Sequence, residues 1–251
     1  MILRISGPNH ANLTPGWEAF AASQKLKDAV SGYVSQPAHA RLSGSIAAKL
    51  TPEVFGELPA EVVEATGMHD AGWSMADLAA FELTSRKQLD SFLDVSSVKA
   101  TDAWQHSIRA AEQRSPFQGV LTSRHFCLLA PNDGDPAHEM FVHEENRRRQ
   151  ELRAKYGVNE ADLDRYTAAL GFCDLVSLLM CSGLQGNFDL PLAHPAHPEA
   201  RKAEHVVCEL GSGNVKFNHR VLVPETTFLV ETWVRQAAGS VASNHCKWRA
   251  G

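Results

Sequence analysis

Apolar and polar positions follow a helical period over most of the chain before residue 190. Apolar side chains recur every three or four residues, which is the spacing of a helix that buries one face. One charged segment, residues 138–156, has few apolar positions and is predicted to be a surface helix or a lid. The predicted helices with a clear apolar face are residues 17–30, 37–50, 59–69, 101–114 and 116–130.

One helix is apolar on nearly all sides, and it is predicted to begin after Asn159 and to stop at Gly183, at the centre of the protein. Asp174 interrupts its apolar surface. An ionised carboxylate in a dry core costs on the order of several kcal/mol unless it is paired or bound to a metal. Because no Lys or Arg lies within one turn of Asp174, we expect a metal ion or a histidine as its partner. A backbone N–H or Tyr33 is the alternative.

After a loop rich in proline and histidine, residues 191–198, the period changes from helical to alternating. This alternation predicts strands at residues 204–210, 215–223 and 226–234, with a hairpin turn at 211–214. The predicted fold is therefore mainly α, with a helical bundle and a small C-terminal antiparallel β-sheet, joined by an N-terminal strand at residues 2–5. Residues 1–190 are expected to form the helical core, and residues 191–251 a β extension packed on it in the same domain.

Composition excludes several classes of function. The chain has 251 residues, 44% hydrophobic and 21% charged, as in soluble globular proteins, and a net charge of -5 gives no case for nucleic acid or an anionic membrane. Its longest apolar run, residues 168–184, is too short to span a membrane. Five cysteines without C-x-x-C spacing argue against a disulfide framework or a cysteine zinc site. With no signal-peptide pattern we expect a cytoplasmic protein. The oligomeric state stays open, with a homodimer as one alternative.

Several polar side chains that can bind a metal fall on otherwise apolar helix faces. They are His39, the pair His69-Asp70, His125 and Asp174. A single such histidine is more often a hydrogen-bonded core residue, whereas His194 and His197, which lie among prolines, are interpreted as loop residues. The order His, His-Asp, Asp on three separate helices favours a metal site, because imidazole and carboxylate are both ligands for divalent ions. Mn, Fe, Ni, Zn and Mg all fit such a set.

The same order resembles the HD-domain superfamily of metal-dependent phosphohydrolases. This resemblance implies an all-helical fold and one divalent ion bound by the two histidines and two aspartates named above. Three motifs look more specifically like a group of bacterial proteins that carry a domain of unknown function within the HD-like set. They are Gln36-Pro37-Ala38-His39, His69-Asp70-Ala71-Gly72-Trp73 and Ser123-Arg124-His125. The resemblance covers roughly residues 30–180.

The resemblance also has departures. Trp73 stands where mononuclear members place a glutamate, and His125 is the only well-placed one of the two further histidines that dinuclear members carry.

The leading hypothesis is a hydrolase that acts on a small anionic substrate, a phosphoester, with a metal-activated water. Asp70 would orient or deprotonate the water, and His125 would donate a proton or a hydrogen bond. Four further residues are expected to contact substrate: Arg41 and Arg124 at an anionic group, and Trp73 and Asp77 in the wall. The alternatives are a di-iron oxygenase and a degenerate, non-catalytic binding module.

Overall fold

The computed structural model describes residues 1–6, 9–83, 89–235 and 241–251. Within these residues the chain forms nine α-helices and eight strands. The helices are α1 (Gly16–Ser23), α2 (Gln36–Ala47), α3 (Pro52–Phe55), α4 (Ala60–Met68), α5 (Ser74–Leu83), α6 (Ser97–Arg114), α7 (Pro116–Leu129), α8 (Pro136–Tyr156) and α9 (Glu160–Ser182). The strands are β1 (Ile2–Ile5), β2 (Asn9–Pro15), β3 (Val30–Val34), β4 (Gln185–Pro191), β5 (His205–Gly211), β6 (Asn214–Phe217), β7 (Thr227–Arg235) and β8 (Val241–Ala250).

The helices that matter for function begin at side-chain caps. The Ser35 hydroxyl accepts from the N–H of the third residue of α2, and the side chains of Ser115 and Asn159 do the same for α7 and α9. Gly183 ends α9 in the left-handed conformation, with φ of 73°. The predicted start and stop of this helix are thereby confirmed.

Helix α9 is the centre of the protein. Its residues from 169 to 182 are all buried, and it packs against α1, α2, α4, α7 and β1. This agrees with the apolar surface that its sequence shows on all sides. Among the described residues, no helix is both long enough and apolar enough to cross a membrane.

The sheet overturns the predicted fold class. All eight described strands form one sheet in the order β1-β3-β7-β8-β6-β5-β4-β2. The pairs β2–β4 and β6–β8 are parallel, and the other pairs are antiparallel. The prediction of a mainly α protein with a small C-terminal antiparallel sheet was therefore wrong, and so was the all-helical fold that the resemblance implied. Strands from both sides of residue 190 share the sheet.

The missed strands have a common physical reason. The segment 17–30 was predicted as one helix, but α1 ends at Ser23 and Val30 begins β3, which lies between β1 and β7. Strands β2, β4 and β8 are rich in polar residues, and nine of the ten residues of β8 pair with β7. Such strands are stabilised by their neighbours in the sheet more than by their own sequence.

Candidate metal centre

Two close backbone contacts bring the motif residues together. Helices α2 and α4 cross where Gly44 meets Gly67, with no side chain between them. In the 3₁₀ turn Ala71–Trp73, Gly72 lies against α6: a Cβ there would lie 2.1 Å from the carbonyl oxygen of Ala103, and its N–H donates to Ser107 Oγ at 2.9 Å. Only glycine fits this position. The glycine that follows His69-Asp70 is thus needed to hold the pair in place.

Five buried groups converge at this point, and we call them the His/Asp cluster. They come from α2, the end of α4, α7 and α9, and each is at most 7% exposed. The members are His39, His69, Asp70, His125 and Asp174. The four residues predicted as metal ligands are therefore brought together, and so is the predicted proton donor.

Asp174 joins the cluster through both of its carboxylate oxygens. Its Oδ1 lies 3.7 Å from His39 Nε2 and 3.5 Å from His69 Nε2, and its Oδ2 lies 3.7 Å from His125 Nε2. On the other side, Asp70 Oδ2 lies 2.8 Å from His39 Nε2 and 3.6 Å from His69 Nε2. Neighbouring ligand atoms around one divalent ion, at about 2.0–2.2 Å from it, are about 3.0–3.5 Å apart. Small adjustments would let these four residues surround one ion.

The Nδ1 atoms of His39 and His69, which point away from the cluster, form the hydrogen bonds that are typical of metal-binding histidines. His69 Nδ1 donates to the carbonyl oxygen of Thr66 at 2.8 Å, so that the lone pair of the neutral ring is on Nε2. His39 Nδ1 lies 2.7 Å from Ser177 Oγ, and that hydroxyl donates to the Asp174 carbonyl. His39 Nδ1 is thus a donor, and its Nε2 faces Asp70 Oδ2, where a proton or a metal ion would lie between them. An outer N–H held by an oxygen is the usual arrangement of a metal-binding histidine.

His125 has a different hydrogen-bond partner, His194, which was interpreted from the sequence as an ordinary loop residue. His194 does lie in a loop, but it is buried, and its Nε2 is 2.8 Å from His125 Nδ1. Among the described residues, His125 Nε2 has no hydrogen-bond partner. Nothing in the periodicity of the sequence points to His194, because loop residues have none.

Charge in the cluster is balanced only if a cation is present. Burial lowers the pKa of His69, but the carboxylates of Asp70 and Asp174 outweigh burial and raise that pKa to about 9. Burial would raise the pKa of Asp70, yet His69 and His39 lower it below its ordinary value. The two carboxylates thus attract positive charge. Protons on histidine supply it in the metal-free protein, and a divalent ion could take their place.

The two arginines predicted at an anionic group are engaged elsewhere. The Arg41 side chain is 62% exposed and lies 3.5 Å from Glu231. Arg124 forms ion pairs with Glu160 and Asp164 on α9.

Trp73 and Asp77 lie beside the cluster and not in it. Trp73 is buried with its ring near Phe92, and Asp77 accepts hydrogen bonds from the Met1 amino group at 3.0 Å and the Gln36 N–H at 2.6 Å. Both border a cavity of about 640 Å³, whose described lining includes no member of the cluster.

Two further polar side chains near the cluster were not predicted. Gln36 precedes His39 by three residues, and Thr122 precedes His125 by three, so each shares a helix face with a cluster histidine. Both are buried, and within the described chain neither the Gln36 amide nor the Thr122 hydroxyl has a hydrogen-bond partner. Unpartnered buried polar groups cost about 1–3 kcal/mol and are uncommon in native proteins. They are candidates for contact with a bound molecule.

Comparison with known proteins gives one match. Residues 25–235 match the sequence model of a family described as "Protein of unknown function (DUF3891)", and the matched region includes the whole His/Asp cluster. No curated protein and no solved structure matches the chain. The match does not connect the chain to the HD-domain superfamily, so that resemblance stays a prediction.

Proposed function

Since the chain belongs to the DUF3891 family, whose function is unknown, we propose a function from the geometry of its own site: a hydrolase that depends on one divalent metal ion. The observation that carries this proposal is the convergence of two imidazole nitrogens and two carboxylates in the buried interior. The substrate class, a phosphoester, comes from the resemblance of the motifs to the HD-domain superfamily.

One ion fits the cluster better than two. The possible ligand groups are His39-His69-Asp70 and His69-His125-Asp174, so both would need His69. Its Nε2 has a single lone pair, and an imidazole nitrogen with one lone pair binds one ion. We therefore assign His39, His69, Asp70 and Asp174 to the same ion.

A divalent ion bound there supplies an activated water near neutral pH. The Asp70 carboxylate orients this water or takes its proton. His125 presents Nε2 to the site without a protein partner, and it donates to the leaving group or to a substrate oxygen. The unpartnered amide of Gln36 provides a further hydrogen bond to substrate.

Arg41 and Arg124 have no part in this proposal, because both are paired with carboxylates at the surface. An anionic substrate would be held by the ion and by neutral hydrogen-bond donors. This favours a substrate with low negative charge at the reacting group, such as a phosphodiester, over a phosphomonoester.

The experiment is a hydrolysis screen with Mn, Mg, Ni, Fe or Zn added to metal-free protein. The substrates are phosphomonoesters, nucleotides and cyclic dinucleotides, and His69→Ala is the inactive control. Activity that needs metal and is lost in a folded His69→Ala protein supports the proposal. Metal binding without hydrolysis would instead indicate a non-catalytic binding module. If no metal is found in the purified protein and none binds afterwards, the metal site itself is rejected.

Asp174 turns Oδ1 toward His39 and His69 and Oδ2 toward His125, as a carboxylate that bridges two ions would. This favours one second candidate, a di-iron oxygenase. Aerobic loading with iron distinguishes the two functions. Two irons per chain with a visible absorption band would support the oxygenase, and one metal per chain without such a band would support the hydrolase.

A further inference from the structure

We propose that His194 is a positioning residue: it fixes His125 in the tautomer with a proton on Nε2, and so keeps His125 as a hydrogen-bond donor to substrate instead of a metal ligand. This inference deepens the proposed function and rests on it. It assigns different roles to the three cluster histidines from the hydrogen bonds of their Nδ1 atoms.

The proton positions follow from one backbone group. The N–H of Ala196 donates to His194 Nδ1 at 3.2 Å, and a backbone N–H can only donate, so His194 Nδ1 is an acceptor. Neutral His194 then has its proton on Nε2, which lies 2.8 Å from His125 Nδ1. His125 Nδ1 therefore accepts, and the proton of neutral His125 is on Nε2, facing Asp174 Oδ2 at 3.7 Å.

Both rings are neutral. His194 Nδ1 accepts the Ala196 N–H, so the His194 ring has a proton only on Nε2, and burial lowers its pKa to about 3. His125 Nδ1 accepts that Nε2 proton, so the His125 ring has a proton only on its own Nε2. A neutral pair with one proton between the rings is thus the state at neutral pH.

His39 and His69 have the opposite arrangement. Their Nδ1 atoms donate to oxygens, Ser177 Oγ and the Thr66 carbonyl, and their Nε2 atoms face the carboxylates of Asp70 and Asp174, where a cation would bind. The cluster thus contains two histidines set as ligands and one set as a donor. A third ligand histidine would need an acceptor behind its Nδ1, and His125 has a donor there.

The position of His194 is fixed by close packing on α9. A Cβ at Gly171 would lie 2.5 Å from Cδ2 of His194 and 2.8 Å from Cδ of Pro195. Gly171 precedes Asp174 by three residues, so the loop lies directly on the helix face that carries the cluster carboxylate. Glycine at this position is what allows the imidazole of His194 to reach His125.

The test reads the proton positions directly, by ¹⁵N NMR of the histidine rings in full-length, metal-free protein. Wild-type His125 is expected to have a proton on Nε2 and none on Nδ1. His194→Gln keeps an N–H donor and is expected to preserve this state. His194→Glu places an acceptor there, and His125 Nδ1 is expected to become protonated.

Metal binding and turnover give the second readout. In His194→Glu, the freed Nε2 lone pair adds a ligand, so zinc affinity should rise by about 10-fold or more, while kcat should fall by about 100-fold because the donor is lost. His194→Gln should stay within a few-fold of wild type in both.

A proton on Nδ1 of wild-type His125 overturns the inference, even if a variant fails to fold. So does a folded His194→Glu protein with unchanged zinc affinity and kcat. Since the NMR measurement needs neither metal nor substrate, the expected tautomer in a protein without hydrolase activity would reject the proposed function alone.

Discussion

Gly44 and Gly67 contact each other at the crossing of α2 and α4, and the contact is asymmetric. A Cβ on Gly44 would lie 2.5 Å from the Cα of Gly67, whereas a Cβ on Gly67 would lie 3.6 Å from the Cα of Gly44. The first distance is a clash with backbone, and the second is an ordinary contact. His39 and His69 lie on the two helices near this crossing, so the distance between their rings depends on it.

Gly44→Ala should separate the two helices, whereas Gly67→Ala should not. Overpacking of this kind costs about 1–3 kcal/mol, which exceeds the roughly 1 kcal/mol that alanine gains in a helix. We expect Gly44→Ala to lower the free energy of unfolding in urea and to weaken metal binding. Gly67→Ala is the matched control and should be neutral or slightly stabilising. Equal effects of the two substitutions would contradict the asymmetry.

A divalent ion should stabilise the protein through Asp174. At a free concentration 100 times its Kd, a ligand adds about 2.7 kcal/mol, which for a chain of this size is a rise in Tm of about 5–10 °C. Asp174→Asn keeps the shape of the side chain but removes the charge and should abolish most of this rise. Asp77→Asn is the control, because Asp77 is equally buried but outside the cluster. Differential scanning calorimetry with and without Mn measures the shifts.

Gln36→Leu should change stability and activity in opposite directions. The Gln36 amide is buried and has no hydrogen-bond partner in the described chain. Leucine has a similar size and no polar side-chain atoms, so the substitution removes the cost of burying that amide. We expect the free energy of unfolding to rise by about 1–3 kcal/mol, and kcat/KM to fall several-fold as a substrate contact is lost. Gln118→Leu is the contrasting variant, because only Gln118 Oε1 lacks a partner while its Nε2 donates to Glu64 at 2.8 Å, so this substitution also breaks a hydrogen bond and should gain less stability. A stabilised Gln36→Leu enzyme with full activity would remove Gln36 from the site.

His194 should make the protein sensitive to mild acid. Its pKa is about 6.5 in the unfolded chain and is lowered to about 3 in the folded protein by burial. Between these values the unfolded state binds more protons, so this contribution to stability is complete above pH 6.5 and is lost as the pH falls toward 3. From pH 7 to pH 5 the loss is about 2 kcal/mol.

The variant His194→Gln lacks this group and gives the comparison. Urea unfolding of both proteins at pH 7 and pH 5 measures the difference. Wild type should lose more stability than the variant over this interval, by about the amount given above. Parallel losses would show that His194 is already protonated in the folded state.

The candidate metal ligands could be predicted from the sequence because residues on the inward face of a helix recur every three to four positions. His39 and Asp174 were visible as polar residues among apolar neighbours, and the structure places both in the cluster. His194 was not recoverable, because its position depends on packing against Gly171, a contact across the fold. The same limit applies to Arg124, whose partners Glu160 and Asp164 lie on another helix.

The order of strands in the sheet has a consequence for how the chain is made. Strand β3 is synthesised early, yet it pairs with β7, where its Tyr33 pairs with Trp233, 200 residues later in the chain. Contacts between such distant residues form slowly. Until β7 has been synthesised, the edge of β3 that will pair with it stays open, although all five cluster residues precede β7 in the chain. Nascent chains that stall before residue 227 should therefore be the species that aggregate and that chaperones bind.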